Sequence, residues 1–115
     1  MNTLNPLGMY RNRKLLDLAH RIQQCTNCGA WRAEGMDPAH SNQQDHGKGK
    51  ALKGHDCFFA ALCSRCHRWL DNQGGLGKDP SGRYDSTRED KRQMFNRAMH
   101  TTWLEMWRQK LVRVS

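Results

Sequence analysis

Four of the five cysteines fall into two pairs, and the spacing of these pairs constrains the fold more than any other feature of the sequence. Each pair has the form C-x-x-C, and residues 29–62 separate the two. Two intervening residues let both sulfurs of a pair face one ion from a tight turn, and two such turns complete the tetrahedral ligand set of structural zinc. The sequence therefore predicts one structural zinc ion, held by Cys25, Cys28, Cys63 and Cys66.

Two other chemistries use the same motif. A redox-active C-x-x-C is expected beside a βαβ pattern, which we do not find in the sequence, and disulfides require an oxidising compartment. The segment between the pairs is longer than in the commonest zinc ribbons, so we expect it to contain folded structure of its own. The fifth cysteine, Cys57, stands beside two phenylalanines and is predicted to be a buried apolar thiol.

The composition limits the class of partner. Lys and Arg outnumber Asp and Glu by 19 to 11, which gives a formal charge of +8, and only 37% of the 115 residues are hydrophobic. These values suit a single small domain that binds a polyanion such as nucleic acid and is stapled by a metal. The longest apolar run, Cys57 to Cys63, is far shorter than the ~20 residues of a membrane span, and we find no secretory segment. We therefore expect a cytoplasmic protein without membrane contact.

Hydrophobic periodicity predicts the elements around the cysteine pairs. An amphipathic helix is predicted over residues 10–24, on a stripe formed by Leu15, Leu18, Ala19 and Ile22. Residues 29–62 lack helical spacing and are predicted to form short strands around a long loop. A second helix is predicted to begin near Ser64 and to end by Asn72, and a flexible linker is predicted over residues 73–85.

The last helix has the clearest signals. Ser86-x-x-Glu89 matches a capping box, and the helix is predicted over residues 87–111. Its stripe is predicted to pack in the core or against a second copy of the chain, and consists of Phe95, Met99, Thr102, Trp103, Met106 and Trp107. The sequence as a whole predicts a single α+β domain over residues 1–115, with a zinc-stapled centre at 25–72 and flanking helices at 10–24 and 87–111.

A second set of residues has the chemistry of a catalytic metal site. His67 directly follows the last cysteine, and Asp71 stands four residues later, so an imidazole and a carboxylate share one face of the second helix. His40 ends a predicted strand, and the loop that follows it is rich in glycine and lysine, a composition suited to phosphate. The candidate phosphate ligands are Lys48, Lys50, Lys53, Arg65 and Arg68.

These motifs occur in the order found in a known family of nucleases. In chain order they are Ala39-His40, Gly47-Lys48-Gly49-Lys50, Asp56, Cys63-Ser64-Arg65-Cys66-His67 and Asp71. The sequence thus resembles the HNH-type nucleases, also called ββα-metal or His-Me finger nucleases, and most closely the small phage and prophage nucleases of the YbcO kind. The resemblance covers about residues 25–72. It implies a ββα-metal core, a bacterial cytoplasmic setting, and metal-dependent cleavage of nucleic acid, with DNA favoured over RNA.

The resemblance also assigns roles to individual residues. It implies that His40 is the general base that accepts a proton from water, and that His67 and Asp71 hold a catalytic divalent ion, such as magnesium, manganese, nickel or zinc. The four-cysteine zinc is closed and is a separate ion. Many HNH nucleases carry a metal-binding Asp or His directly before the base, where this chain has Ala39. Either two protein ligands suffice, or the missing ligand is one of Asp37, His46, His55 and Asp56.

Two functions of other classes stay open at this point. The chain can be a zinc-stabilised module that binds DNA or RNA without cleaving it. It can also be an adaptor that binds a protein through the helix carrying Trp103 and Trp107, the helix that would also serve a homodimer. The joint presence of His40, His67 and Asp71 favours the nuclease, because phosphate binding by itself needs only Lys and Arg.

Overall fold

The computed structural model describes residues 12–41, 57–72 and 77–112. Within these ranges the helices are α1 (Arg13–Asp17, continued by a 3₁₀ turn at Leu18–Arg21), α2 (Ser64–Asp71) and α3 (Arg88–Arg108), and the strands are β1 (Asp37–His40) and β2 (Phe59–Leu62). The predicted α+β class is confirmed. None of the helices in the described ranges is long and apolar enough to cross a membrane.

The first helix is shorter than predicted. α1 begins after Asn12, whose side-chain Oδ1 accepts a hydrogen bond from the backbone N–H of Leu15 at 3.1 Å. Helical structure ends at Arg21, because the chain becomes extended at Ile22 and pairs Gln24 with Trp31 across the first cysteine turn. The prediction of helix over 22–24 is therefore wrong, and residues 10 and 11 lie outside the described residues.

One glycine lets the chain return to the first helical segment. A Cβ atom on Gly35 would lie 1.9 Å from the carbonyl oxygen of His20, and the φ of Gly35 is +84°. Only glycine accepts both the close contact and this backbone angle. The next residue, Met36, is fully buried and donates its N–H to the carbonyl of Ala19. This contact fixes the start of β1 against the 3₁₀ turn.

The two strands form an antiparallel pair, in which Asp37 lies opposite Leu62 and His40 lies opposite Phe59. All four residues of β2 are fully buried. Their burial is possible because β1, the 3₁₀ turn, α2 and α3 all contact β2. The prediction of short strands in this part of the chain is thus confirmed, whereas the loop between them, residues 42–56, lies outside the described residues.

The backbone of Ala61 turns away from β1. In an antiparallel pair alternate residues point both N–H and C=O away from the partner strand, and Ala61, which lies opposite Pro38, is such a residue. The N–H of Ala61 donates to Thr102 Oγ1 of α3 at 2.9 Å, and its carbonyl accepts from the N–H of Thr26 at 3.1 Å. α3 and the first cysteine turn therefore cover the side of β2 that β1 does not reach.

α2 agrees with its prediction, beginning at Ser64 and ending at Asp71. Its inner side carries Cys66, Trp69 and Leu70, which are buried. The indole N–H of Trp69 donates to the carbonyl of Gly77 at 2.9 Å, which brings the chain beyond the helix back onto it.

α3 begins one residue later than its predicted capping box implies. Thr87, rather than Ser86, is the N-cap, because its Oγ1 accepts from the N–H of Asp90 at 3.1 Å. Asp90 in turn accepts from the N–H of Asp85 at 3.0 Å. The helix ends at Arg108, short of the predicted residue 111, since Lys110 adopts a left-handed conformation with φ of 59°.

The buried side of α3 is shifted from the predicted stripe and includes two residues, Met94 and Ala98, that the prediction did not name. It consists of Met94, Phe95, Ala98, Thr102 and Met106. Met99 and Trp103 are partly buried beside it, and the Trp103 indole N–H donates to the carbonyl of Cys57 at 3.1 Å. Trp107 is 60% exposed, so it does not pack in the core, and its packing against a second copy stays a prediction. Cys57, predicted to be buried, is half-buried.

Residues 77–85 are not the flexible linker that was predicted. Asp79 and Tyr84 are buried, and the backbone N–H of Asp79 donates to the carbonyl of Tyr84 at 3.0 Å. The carboxylate of Asp79 accepts several further hydrogen bonds that fold this segment into a tight turn. The rest of the predicted linker, residues 73–76, lies outside the described residues.

Candidate functional site

The two C-x-x-C pairs meet where β2 joins α2. The sulfurs of Cys25, Cys28, Cys63 and Cys66 all lie within 4.8 Å of one another. Cys63 is the N-cap of α2 and Cys66 lies in its first turn, so the helix start supplies half of the cluster. In the described ranges, this is the one group of three or more Cys, His, Asp or Glu side chains close enough to hold a single ion.

The sulfur spacing fits tetrahedral zinc. Zinc–sulfur bonds of about 2.3 Å in a tetrahedron place the sulfurs about 3.8 Å apart. The Sγ atoms of Cys28 and Cys63 are 3.7 Å apart, and none of the five cysteines forms a disulfide. The four cysteines can therefore hold a structural metal such as zinc, as the sequence predicted.

The electrostatics of the cluster favour a cation at its centre. A hydrogen bond with Cys66 lowers the pKa of Cys25, although burial opposes this shift. The same hydrogen bond, together with burial, raises the pKa of Cys66, and burial raises the pKa of Cys28. One sulfur thus ionises more readily than its neighbours, because a hydrogen bond stabilises its thiolate while burial disfavours charge on the others. A divalent ion in the cluster would bind the sulfurs as thiolates and release their protons.

Sequence analysis did not identify two residues that contact the cluster or support it. The side-chain Nδ2 of Asn27 donates to Cys66 Sγ at 3.3 Å and to Asp79 Oδ2 at 2.6 Å. Asn27 stands inside the first C-x-x-C, so its position in the motif was the available signal. Asp79 is distant in sequence, and the turn composition of Asp79-Pro80-Ser81-Gly82 was its only signal.

The outward side of α2 carries the predicted pair of His67 and Asp71. His67 Nε2 lies 3.0 Å from Asp71 Oδ2, and the side chains are 34% and 53% exposed. The hydrogen bond to Asp71 raises the pKa of His67 against the opposing effect of burial, and the charges of Asp71 and Asp37 raise it further. The pair borders an open cleft of about 270 Å³, lined by Asp37, Ser64, His67, Arg68 and Asp71.

Asp37 is the one candidate for the missing metal ligand that the described residues include, since His46, His55 and Asp56 lie outside them. It projects from β1 into the cleft and pairs with Arg32, with 3.2 Å between Asp37 Oδ1 and the guanidinium. Residues two apart on a strand share a face, so Asp37 lies on the same side of β1 as Ala39.

His40 occupies a different position. It is half-buried at the end of β1, and it does not line the cleft. Because side chains alternate along a strand, His40 and Asp37 point to opposite faces of β1. The structure therefore brings His67 and Asp71 together but does not bring His40 into their cleft, and its role as general base stays a prediction.

The structure describes only some of the basic residues that were predicted to contact phosphate. Arg68 lines the cleft, and Arg65 is exposed on the first turn of α2. Lys48, Lys50 and Lys53 lie outside the described residues.

No protein-family model, curated protein or solved structure matches this chain. The likeness to HNH nucleases therefore depends on the motifs, and the chemistry of the site depends on the geometry described above.

Proposed function

We propose that the chain is a metal-dependent endonuclease of the HNH type that hydrolyses phosphodiester bonds in nucleic acid, with DNA favoured over RNA. The observation that carries the proposal is the His67–Asp71 pair at the cleft between β1 and α2. The helix follows the two strands in the chain, and its imidazole and carboxylate face the first strand. This arrangement resembles the metal-binding half of the ββα-metal site. The cysteine cluster anchors the start of that helix.

Asp37 is the described candidate for a third protein ligand, and it would have to move toward His67 and Asp71 to bind the same ion, because in the described ranges only the four cysteines form a group of three or more side chains close enough to hold one ion. The family pattern leaves Ala39 without a donor, and Asp37 lies on the same strand face, among the residues that line the cleft. Two carboxylates and one imidazole favour magnesium or manganese among the divalent ions, because oxygen donors suit hard cations. A cation bound there would stabilise the negative charge that grows on the phosphate and on the leaving oxygen during cleavage.

Arg68, which lines the cleft, and Arg65, which is exposed on the first turn of α2, supply the positive charge that a phosphate backbone requires. The excess of basic residues over the whole chain, a formal charge of +8, acts in the same direction at longer range. In this proposal Lys48, Lys50 and Lys53 extend the contact along the nucleic acid, and His40 accepts the proton of the attacking water.

A zinc-stabilised module that binds nucleic acid without cleaving it is the second candidate. One observation favours it, namely that His40 does not line the cleft of His67 and Asp71. A protein that only binds phosphate has no need for a base beside a metal ion.

Incubation of the zinc-loaded protein with supercoiled plasmid and with RNA, across a panel of divalent ions, separates the two functions. The nuclease predicts nicking that needs an added ion and is lost in His67→Ala. The matched control is His100→Ala, which removes an exposed histidine of α3. Binding of nucleic acid without cleavage in any of the ions would establish the binding module. Equal cleavage by wild type and His67→Ala would exclude the proposed site.

A further inference from the structure

Asn27 connects the cysteine cluster to a distant turn of the chain. The residue is buried, with 7% of its surface exposed, and its amide nitrogen has two hydrogens to donate. One bond reaches Cys66 Sγ at 3.3 Å and the other reaches Asp79 Oδ2 at 2.6 Å. Both partners are acceptors when ionised, so the amide nitrogen, and not the amide oxygen, must face them.

Asp79 fixes the orientation of that amide. Asp79 as a whole residue is 3% exposed, and its Oδ2 also accepts from the N–H and the hydroxyl of Ser81, at 3.0 and 2.6 Å. Its Oδ1 accepts from the N–H of Tyr84 at 2.8 Å. A buried carboxylate needs such a full set of donors. Because four bonds hold the carboxylate, it cannot turn away from Asn27 without losing several of them.

The same turn contacts the backbone of Asn27 as well. The guanidinium of Arg83 donates to the Asn27 carbonyl at 2.8 Å. This bond does not involve the cysteine sulfurs, so it fastens the turn to the first C-x-x-C independently of the sulfur. The chain thus provides two contacts between the same segments, of which one reaches a metal-ligand atom and the other does not.

We infer that Asn27 and Asp79 are positioning residues of the cysteine metal centre, in which Asp79 holds the Asn27 amide so that it donates a hydrogen bond to the Cys66 sulfur. A hydrogen bond to a ligand sulfur stabilises its negative charge and restricts its position, and loss of such an outer contact commonly reduces metal affinity by about 10–100-fold. The inference does not depend on nuclease activity. It requires only that the four cysteines bind a metal.

The test uses the full chain loaded with zinc or with cobalt. Affinity is measured by competition with a chromophoric chelator, and the sulfur-to-cobalt charge-transfer band reports the sulfur electrons directly. Asn27→Ala is expected to lose about 10–100-fold in zinc affinity and to move the band to longer wavelength, because the sulfur electrons are no longer stabilised. Asp79→Asn keeps the side-chain size and is expected to give smaller changes in the same directions.

Arg83→Ala is the matched control, since it loosens the same turn without touching the sulfur. It is expected to leave the band unchanged. If Asn27→Ala keeps the wild-type band and affinity, the inference is wrong. It is equally wrong if Asn27→Ala and Arg83→Ala lose the same affinity and neither moves the band, because Asn27 would then act through packing alone. Should Asn27→Ala fail to fold with metal, the band of Asp79→Asn decides between the two results.

Discussion

The two candidate metal sites both take side chains from α2 and differ in burial, in spacing and in hydrogen bonding. Cys66 is fully buried on the inner side of α2, while its neighbour His67 lies on the outer side, beside an open cleft. The cysteine sulfurs are already at zinc-site spacing and receive a hydrogen bond from Asn27. The ligands of the cleft are partly exposed, and His67 is bonded to Asp71.

Under the proposed function, this difference separates a site that stabilises the fold from a site that reacts. A closed set of four protein ligands leaves no position for substrate, and its binding free energy contributes to folding. The proposed open set of two or three ligands would leave coordination positions for water and phosphate, and a bound ion would replace the hydrogen bond between His67 and Asp71. The following predictions test this contrast, beginning with the largest effect.

Removal of metal from the cysteine cluster should unfold the centre of the domain. Zinc binding at such sites contributes on the order of 10 kcal/mol to folding, which is comparable to the whole stability of a typical domain. The loss of structure is measured by circular dichroism during chelation, with zinc counted by elemental analysis. Cys66→Ala should fail to fold, whereas Cys57→Ala, outside the cluster, should fold and keep its zinc. Protein purified without chelator that holds no zinc would contradict the prediction.

Variants of the proposed nuclease site should distinguish the loss of the general base from the loss of a metal ligand. His40→Ala should reduce the cleavage rate by about 10²–10⁴-fold at every metal concentration, because it removes the proton acceptor. Asp71→Asn and Asp37→Asn should lose activity at low metal and recover part of it at high metal, because each removes one ligand. Plasmid nicking over a metal titration measures both effects.

Asp85→Asn is the control for the two aspartate variants, since Asp85 is an exposed carboxylate that pairs with Lys78 away from the cleft. A fully active His40→Ala would move the role of base to His46 or His55. An Asp37→Asn variant with wild-type metal dependence would show that two protein ligands suffice.

Removal of the arginines near the cleft should weaken nucleic-acid binding through charge alone. Arg65→Ala and Arg68→Ala should each reduce the slope of log affinity against log salt by about 0.9 on duplex DNA, if each side chain contacts one phosphate. Fluorescence anisotropy over a salt series gives the slope. Arg97→Ala, an exposed arginine on α3, should leave the slope unchanged. An affinity that does not depend on salt would exclude phosphate contacts at these positions.

The smallest effect concerns the pH dependence of the His67–Asp71 pair. Asp71 raises the pKa of His67, so the pair stabilises the fold fully below the unfolded pKa of about 6.5, and this stabilisation is lost as pH rises through the higher folded pKa. Because both side chains are partly exposed, we expect the pair to contribute less than about 1 kcal/mol to the free energy of unfolding. The free energy of unfolding of wild type should therefore exceed that of Asp71→Asn by more at pH 6 than at pH 9. A chemical-denaturation series on zinc-loaded protein measures it, and a constant difference would contradict the assignment.

The parts of the molecule that sequence predicted well are those set by local pattern. The C-x-x-C spacing identified the cysteine cluster, and the end of α2 was predicted from the glycines that follow it in the sequence. The cap of α3 was displaced by one residue because Ser86-x-x-Glu89 and Thr87-x-x-Asp90 overlap and both satisfy the pattern.

Contacts between distant residues were not predictable in this way. Asn27 and Asp79 are far apart in the sequence but form a hydrogen bond in the fold. No local pattern links an amide in a cysteine turn to that carboxylate. The exposure of Trp107 was likewise not predictable, since helical spacing places it near the stripe but does not show which side chains the rest of the fold covers. The position of His40 away from the cleft follows from strand alternation, which the motif order does not encode.

The contacts of Thr102 and Thr26 with Ala61 have a consequence for solubility. A sheet of two strands has two open edges, and an apolar strand with an unpaired edge is a template for a strand of another chain. β2 consists of Phe59, Ala60, Ala61 and Leu62, and α3 together with the first cysteine turn closes its outer edge. Detachment of α3 would therefore expose a strand ready for intermolecular pairing. Shortened forms of the chain that end before residue 88 are expected to aggregate rather than to fold as smaller domains.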